Sequence, residues 1–240
     1  MCANLSNMVW TDGSGRALAE YPHPSLAVDV ALLTVVDGGL AVLLHKTEEG
    51  FAAGKWALPG TFVREDELLA DAALRVLREK CGVAGESPRQ LRAFDALDRD
   101  ERGRVVSIAH VDLVPSLALK AAQLAPISGE HVIIPGRQRR LPFDHDEIVA
   151  EAVHWARAAI TERPDPCGLL GEEFTLYQLR KLHEAVLGGS ETPAKDTFRR
   201  RMEGQVVDTG RMSSGSVGKP ARLFRRRMSS DTLSSRLDRS

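Results

Sequence analysis

The stretch Leu58-Pro59-Gly60-Thr61-Phe62-Val63-Arg64-Glu65-Asp66-Glu67, running on through Leu68 to Val83, decides how this 240-residue chain is read. A Pro-Gly loop leads into an acidic turn. Leu68, Ala72, Leu74 and Leu77 then recur at helical spacing and Gly82 ends the run, so the pattern predicts a helix over 67–80. Glu67 and Arg75, opposite in charge, are suited to a structural ion pair. Upstream, Leu26 to Val36 and Leu40 to His45 are apolar runs around Asp37-Gly38-Gly39, a β-hairpin signature. Downstream, Val105 to Val114 reads as a strand ended by Pro115, and His131 to Pro135 as a short strand. Asp146 to Ala159 reads as a helix with Ile148, Ala152, Trp155 and Ala159 on one stripe. Residues 1–24 read as a loose arm, and 25–163 as one domain.

Pro164 and Pro166 mark the best boundary in the chain. Beyond it, Thr175 to Leu187 carries a capping box, Thr175-x-x-Gln178, and Gly188-Gly189 ends it. Thr192-Pro193 predicts the start of a second helix, with Thr192 as its cap, running to about Glu203. Val206 to Arg211 and Arg222 to Arg226 read as two strands around a Ser/Gly-rich tip. Residues 168–227 thus form a second domain, and the Ser-rich 228–240 a disordered tail. Charge follows the same division. Residues 168–240 hold 14 Lys and Arg against 9 Asp and Glu, and the remainder 18 against 24, although the whole chain nets -1. An acidic body with a basic end points to an acidic partner for that end.

Cys2, Cys81 and Cys167 are far apart, which argues against a disulfide scaffold and a zinc finger and for a reducing, cytoplasmic setting. No signal peptide or membrane span is legible.

The central stretch resembles the signature of the Nudix hydrolase superfamily, G-x5-E-x7-R-E-U-x-E-E-x-G-U with U aliphatic. Glu67, Arg75, Leu77, Glu79 and Gly82-Val83 match. Thr61 stands at the first glycine, and Val76 and Lys80 replace two glutamates. Residues 76, 79 and 80 share a helix face, where three carboxylates would hold magnesium against a pyrophosphate. One carboxylate, Glu79, remains beside a lysine. The resemblance therefore implies the fold, a mixed sheet in an α/β/α sandwich, without metal, cofactor or catalytic residues.

Asp98-Arg99-Asp100-Glu101-Arg102-Gly103-Arg104, before a strand, is similar to a loop of Nudix proteins that handle ADP-ribose. Forked guanidinium donors suit pyrophosphate oxygens; a solvated charged turn is the plainer alternative. In Phe143-Asp144-His145-Asp146-Glu147-Ile148, His145 and Asp146 either cap the helix or face a ligand. Trp56 either stacks on a base or belongs to the core. The candidate ligand-binding set is Trp56, Phe62, Arg99, Arg102 and His145.

In the basic end, two helices and a hairpin predict a winged helix-turn-helix. Ala194, Phe198 and Met202 recur every fourth residue and face inward, leaving Lys195, Arg199 and Arg200 for a major groove. Arg211, Lys219 and Arg222 on the wing suit a phosphate backbone. The combination over residues 20–227 resembles the Nudix-related transcriptional regulators of NAD metabolism, a bacterial family. That resemblance implies an α+β chain acting as a cytoplasmic homodimeric repressor, on the nucleoid when bound to DNA. It would bind palindromic operator DNA and sense ADP-ribose or a related NAD metabolite. The competing readings are an active ADP-ribose pyrophosphatase, a repressor with a sugar-type effector, and an interaction module with an acidic partner.

Overall fold

The computed structural model describes residues 11–120, 123–214 and 220–227. Its central element is β1 (Ser25–Val36), an apolar strand buried over most of its length. Asp37 and Gly38 both take positive φ, 51° and 74°, which closes a two-residue hairpin onto β2 (Gly39–Leu43) with Val36 opposite Gly39. A small hairpin follows, β3 (His45–Lys46) with β4 (Trp56–Ala57), and then β5 (Gly60–Phe62), which lies antiparallel on β1.

The helix predicted over 67–80 begins two residues later and changes character. It is α1 (Leu69–Val76) continued by a π turn, Leu77–Cys81, and Gly82 at φ 68° stops it. Glu67 stays outside because Arg75 holds its carboxylate. β6 (Arg89–Phe94), β7 (Val105–Leu113), β8 (Leu124–Ser128) and β9 (His131–Val132) complete a sheet in the order β6-β7-β1-β2-β8-β9, with β7 parallel to β1. α2 (His145–Glu162) covers the other side.

Because strand side chains alternate, β1 serves both faces. Val30 and Leu32 pack with Ala73, Val76 and Leu77 of the first helix. Ala31 and Leu33 pack with Ile148, Ala152 and Ala156 of the second. The result is a mixed sheet between helices, as the α+β reading anticipates. Asp29 belongs to the second face.

In the C-terminal part, α3 (Leu176–Leu187) has the capping box anticipated from Thr175 and Gln178. α4 (Lys195–Glu203) does not start from Thr192, whose hydroxyl bonds instead to the Gly188 carbonyl at 3.1 Å; its N-cap is Ala194. β10 (Val206–Met212) and β11 (Arg222–Arg226) form the wing. Phe174, Leu179, Phe198, Met202, Val206 and Phe224 make its core. The two parts are packed together: Leu182 and Val186 of α3 enter the core beneath α2. Arg226 reaches the buried Asp165 carboxylate at 2.7 Å. The predicted tail 228–240 and Lys219 lie outside the described residues. Among the described residues, no helix is long and apolar enough to cross a membrane.

Candidate functional site

A cleft opens where β5, the loop before β7 and the N-terminus of α2 meet. Asp29, His45, Phe51, Gly60, Phe62, Lys80, Arg99, Arg102, Phe143 and His145 are among its lining residues. Its floor is Asp29. The Ser107 hydroxyl donates to Oδ2 at 2.7 Å, and Arg99 Nη2 donates to the same oxygen at 3.2 Å. His145 Nε2 stands 3.3 Å from Oδ1, and the Leu58 N–H donates to Nδ1 at 3.1 Å, so Nε2 is the ring nitrogen that faces Asp29. Burial pushes the Asp29 carboxyl up, but His145, Ser107 and Arg99 together outweigh it and hold it down at about 2.

Arg99 is almost fully buried. Its Nε and Nη2 also grip Asp144, at 2.8 and 2.7 Å, and its charge is shared between two carboxylates. Asp144, the residue before α2, thus spends its side chain on Arg99 rather than on capping. His145 faces the cleft, whereas Asp146 accepts the Leu141 N–H at 3.2 Å, which resolves the alternatives left open for this pair.

Arg102 lies at the cleft's rim. Asp100 holds it bidentately at 2.9 and 2.7 Å, and its Cζ sits 5.6 Å from the ring centres of both Phe62 and Phe143. Phe143 adopts φ 58°, a costly conformation for a bulky residue, with its ring 6.1 Å from Phe51 and 5.4 Å from His145. Two phenylalanines therefore flank one guanidinium, with Phe51 packed behind Phe143, an arrangement suited to flat, anionic ligands.

Phe62, Arg99, Arg102 and His145 converge as the sequence implied. Trp56 does not: it lies outside this lining and packs against the main core, its backbone bracketed by Gln138 at 2.8 Å on both sides. Arg99 also differs from a free ligand-binding arm, because two carboxylates already engage it. Phe51, Phe143, Asp29, His45 and Lys80 were absent from the sequence-based set.

Glu67 and Arg75 form the anticipated ion pair, with Nε–Oε1 at 2.6 Å and Nη2–Oε2 at 2.8 Å. Arg75 also donates to the Phe62 carbonyl and the Thr61 hydroxyl, tying loop to helix. Its bond holds the Glu67 carboxyl well below the usual range, at about 2. Glu79 is exposed, 3.5 Å from Arg75.

On the C-terminal part, a groove between α3, α4 and β11 gathers Tyr177, Lys195, Arg199 and Arg222. Arg199 pairs with Glu203 at 2.8 Å, and Arg222 with Asp208 at 3.3 Å. Arg200 is exposed outside this groove, and Arg211 is exposed and paired with Glu173.

Residues 24–132 match the NUDIX domain family, and residues 166–226 match the NrtR DNA-binding winged helix domain. The chain is 31% identical to the ADPR responsive transcriptional repressor NtrR of Acinetobacter baylyi over 214 residues, 86% of this chain and 84% of that protein. The chain belongs to the NrtR family. The crystal structure of Shewanella oneidensis NrtR complexed with a 27mer DNA superposes with a TM-score of 0.66 at 30% identity, covering 86% of this chain and 95% of that one. An ADP-ribose pyrophosphatase of Methanocaldococcus jannaschii is 31% identical over 135 residues, 56% of this chain and 76% of that protein.

The Nudix half of an NrtR chain raises the question of a divalent cation. These residues do not fit one. Val76 is buried against Val30 and Leu32, Lys80 presents an ammonium, and Glu67 is occupied by Arg75. Among the described residues, no three His, Cys, Asp or Glu side chains cluster as metal ligands.

Proposed function

We propose that this chain is a transcriptional repressor of NAD-metabolism genes that senses ADP-ribose in the cleft and holds operator DNA with its winged helix. The observation that carries this reading is the likeness to an ADPR responsive repressor along nearly the whole chain. The cleft agrees with it: Arg102, held by Asp100, still has N–H donors to offer ligand oxygens, and Phe51, Phe62 and Phe143 offer faces to a base. Arg99 and His145 act as positioning residues that fix Asp29 and the start of α2.

α2 connects the two sites. Its first residues touch the cleft, and further along Arg157 donates to the Val186 carbonyl of α3 at 3.4 Å. Near its end the Thr161 carbonyl accepts from Arg201 of α4 at 3.3 Å. A ligand that moves the start of α2 thereby shifts the winged helix, and in a cytoplasmic homodimer changes the spacing of two recognition helices.

Hydrolysis is not part of this reading, since the residues at 76 and 80 lack carboxylates. The test is fluorescence anisotropy of the full chain on promoter DNA from NAD-metabolism genes, titrated with ADP-ribose. A change in DNA affinity with ADP-ribose supports the reading. An unchanged affinity at saturating ADP-ribose, or no promoter binding, overturns it.

A further inference from the structure

The cations of the cleft are not equivalent. Arg99 is shared between Asp144 and Asp29, and Arg102 is held by Asp100. Both guanidiniums therefore arrive already neutralised. Lys80 is different. Its Nζ donates to the Gly60 carbonyl at 2.6 Å, and among the described residues no carboxylate lies within ion-pair distance of it. The neighbouring His45 imidazole adds no charge, because burial and Lys80 hold its pKa down at about 4.

An ammonium carries three donors, and one bond to Gly60 leaves two for incoming oxygens. A nucleoside diphosphate brings negative charge that must be met in a partly desolvated cleft. The helix face that would otherwise collect a cation is closed: Val76 is buried in the core, and Glu79 is drawn to Arg75. We propose that Lys80 is the residue that neutralises the diphosphate of the bound nucleotide, so that the effector is held without a divalent cation. This rests on the ADP-ribose reading above and adds to it the residue and the metal independence.

The experiment is isothermal titration calorimetry of the full chain with ADP-ribose, once in EDTA and once in magnesium, on wild type, Lys80→Gln and Lys80→Arg. Glutamine keeps a donor for the Gly60 carbonyl and removes the charge; arginine keeps the charge. Wild type is expected to bind equally in both media. Lys80→Gln should bind roughly tenfold to a hundredfold more weakly, the effect of losing a hydrogen bond to a charged group. Its melting temperature should match wild type, and Lys80→Arg should retain most of the affinity. Wild-type binding that needs magnesium overturns the proposal, as does Lys80→Gln binding like wild type. If wild type binds ADP-ribose in neither medium, the functional reading falls and takes this one with it. That result is distinct from the other two, which leave the reading intact.

Discussion

Gly60 lies so close over Asp29 that a Cβ at position 60 would overlap the carboxylate Oδ1. The glycine of the Leu58-Pro59-Gly60 loop is therefore demanded by a strand some thirty residues earlier in the chain, and β5 can pair with β1 only while that space stays open.

Gly60→Ala should destabilise the protein by about 1–3 kcal/mol, the usual cost of overpacking. It should also weaken ADP-ribose binding, because Gly60 carries both Lys80 and the edge of the cleft. Urea denaturation with calorimetry checks both. A stable variant with wild-type affinity would mean that Asp29 can move aside freely.

Asp29 itself predicts a pH signature. Its carboxyl is held at about 2 in the folded chain, below the ordinary value of 3.8. A depressed carboxylate contributes stability that is present above its unfolded pKa and lost as pH falls through the folded one. The contribution, about 2 kcal/mol at neutral pH, should therefore disappear between roughly pH 4 and pH 2. Asp29→Asn should lack that component and, by leaving Arg99 partly unpaired, lose about 3–5 kcal/mol at pH 7. Thermal denaturation of both proteins across pH 2–7 would show the two curves converging at the acid end. Parallel curves would contradict the assignment.

What the sequence disclosed follows from range. The β1–β2 turn and the Thr175 cap are local, and each is specified by residues within a few positions. The Nudix-like register also survived as an ion pair between Glu67 and Arg75, eight residues apart. Asp29 was illegible because it sits inside an apolar strand and its partner Ser107 lies 78 residues away. β6 and β8 were missed for another reason. Each has β2 or β7 on its inner side, and their own residues are largely exposed or, at Pro126, poor strand formers. Phe51 lies in a Gly-rich loop with no periodicity to mark it. Trp56 stayed ambiguous because an aromatic beside a loop reads equally as a stacking platform or as core, and its packing against the main core favours the second.

Hydrolysis of ADP-ribose with magnesium or manganese should be absent or very weak in a phosphate-release assay coupled to a phosphatase. Replacing both Val76 and Lys80 by glutamate will not simply restore a metal site. Val76 is packed among Val30, Leu32 and Leu43, so Val76→Glu buries an unpaired carboxylate and should cost about 3 kcal/mol or more. Lys80→Glu alone should leave stability largely intact, because Lys80 is exposed and held by a single carbonyl. Robust turnover by wild type that vanishes in Glu79→Gln would contradict this account.

The winged helix separates two kinds of DNA contact. Lys195, Arg199 and Arg222 share one groove, and Arg199 is free to leave Glu203 because the pair is exposed and such pairs are weak. Arg199→Ala should therefore cost ~1–3 kcal/mol on the preferred operator and relax specificity at one position. Arg211 and Arg222 on the wing are also exposed and paired only with single carboxylates. Replacing either by alanine should weaken all sequences alike and reduce the salt slope by about one. In the proposed homodimer on a two-fold operator each effect would be doubled, since both half-sites lose the same contact. Anisotropy with a promoter fragment and a scrambled duplex, each at several salt concentrations, distinguishes the two classes. If Arg199→Ala/Arg200→Ala binds the promoter as tightly as wild type, α4 is not the helix that reads the bases.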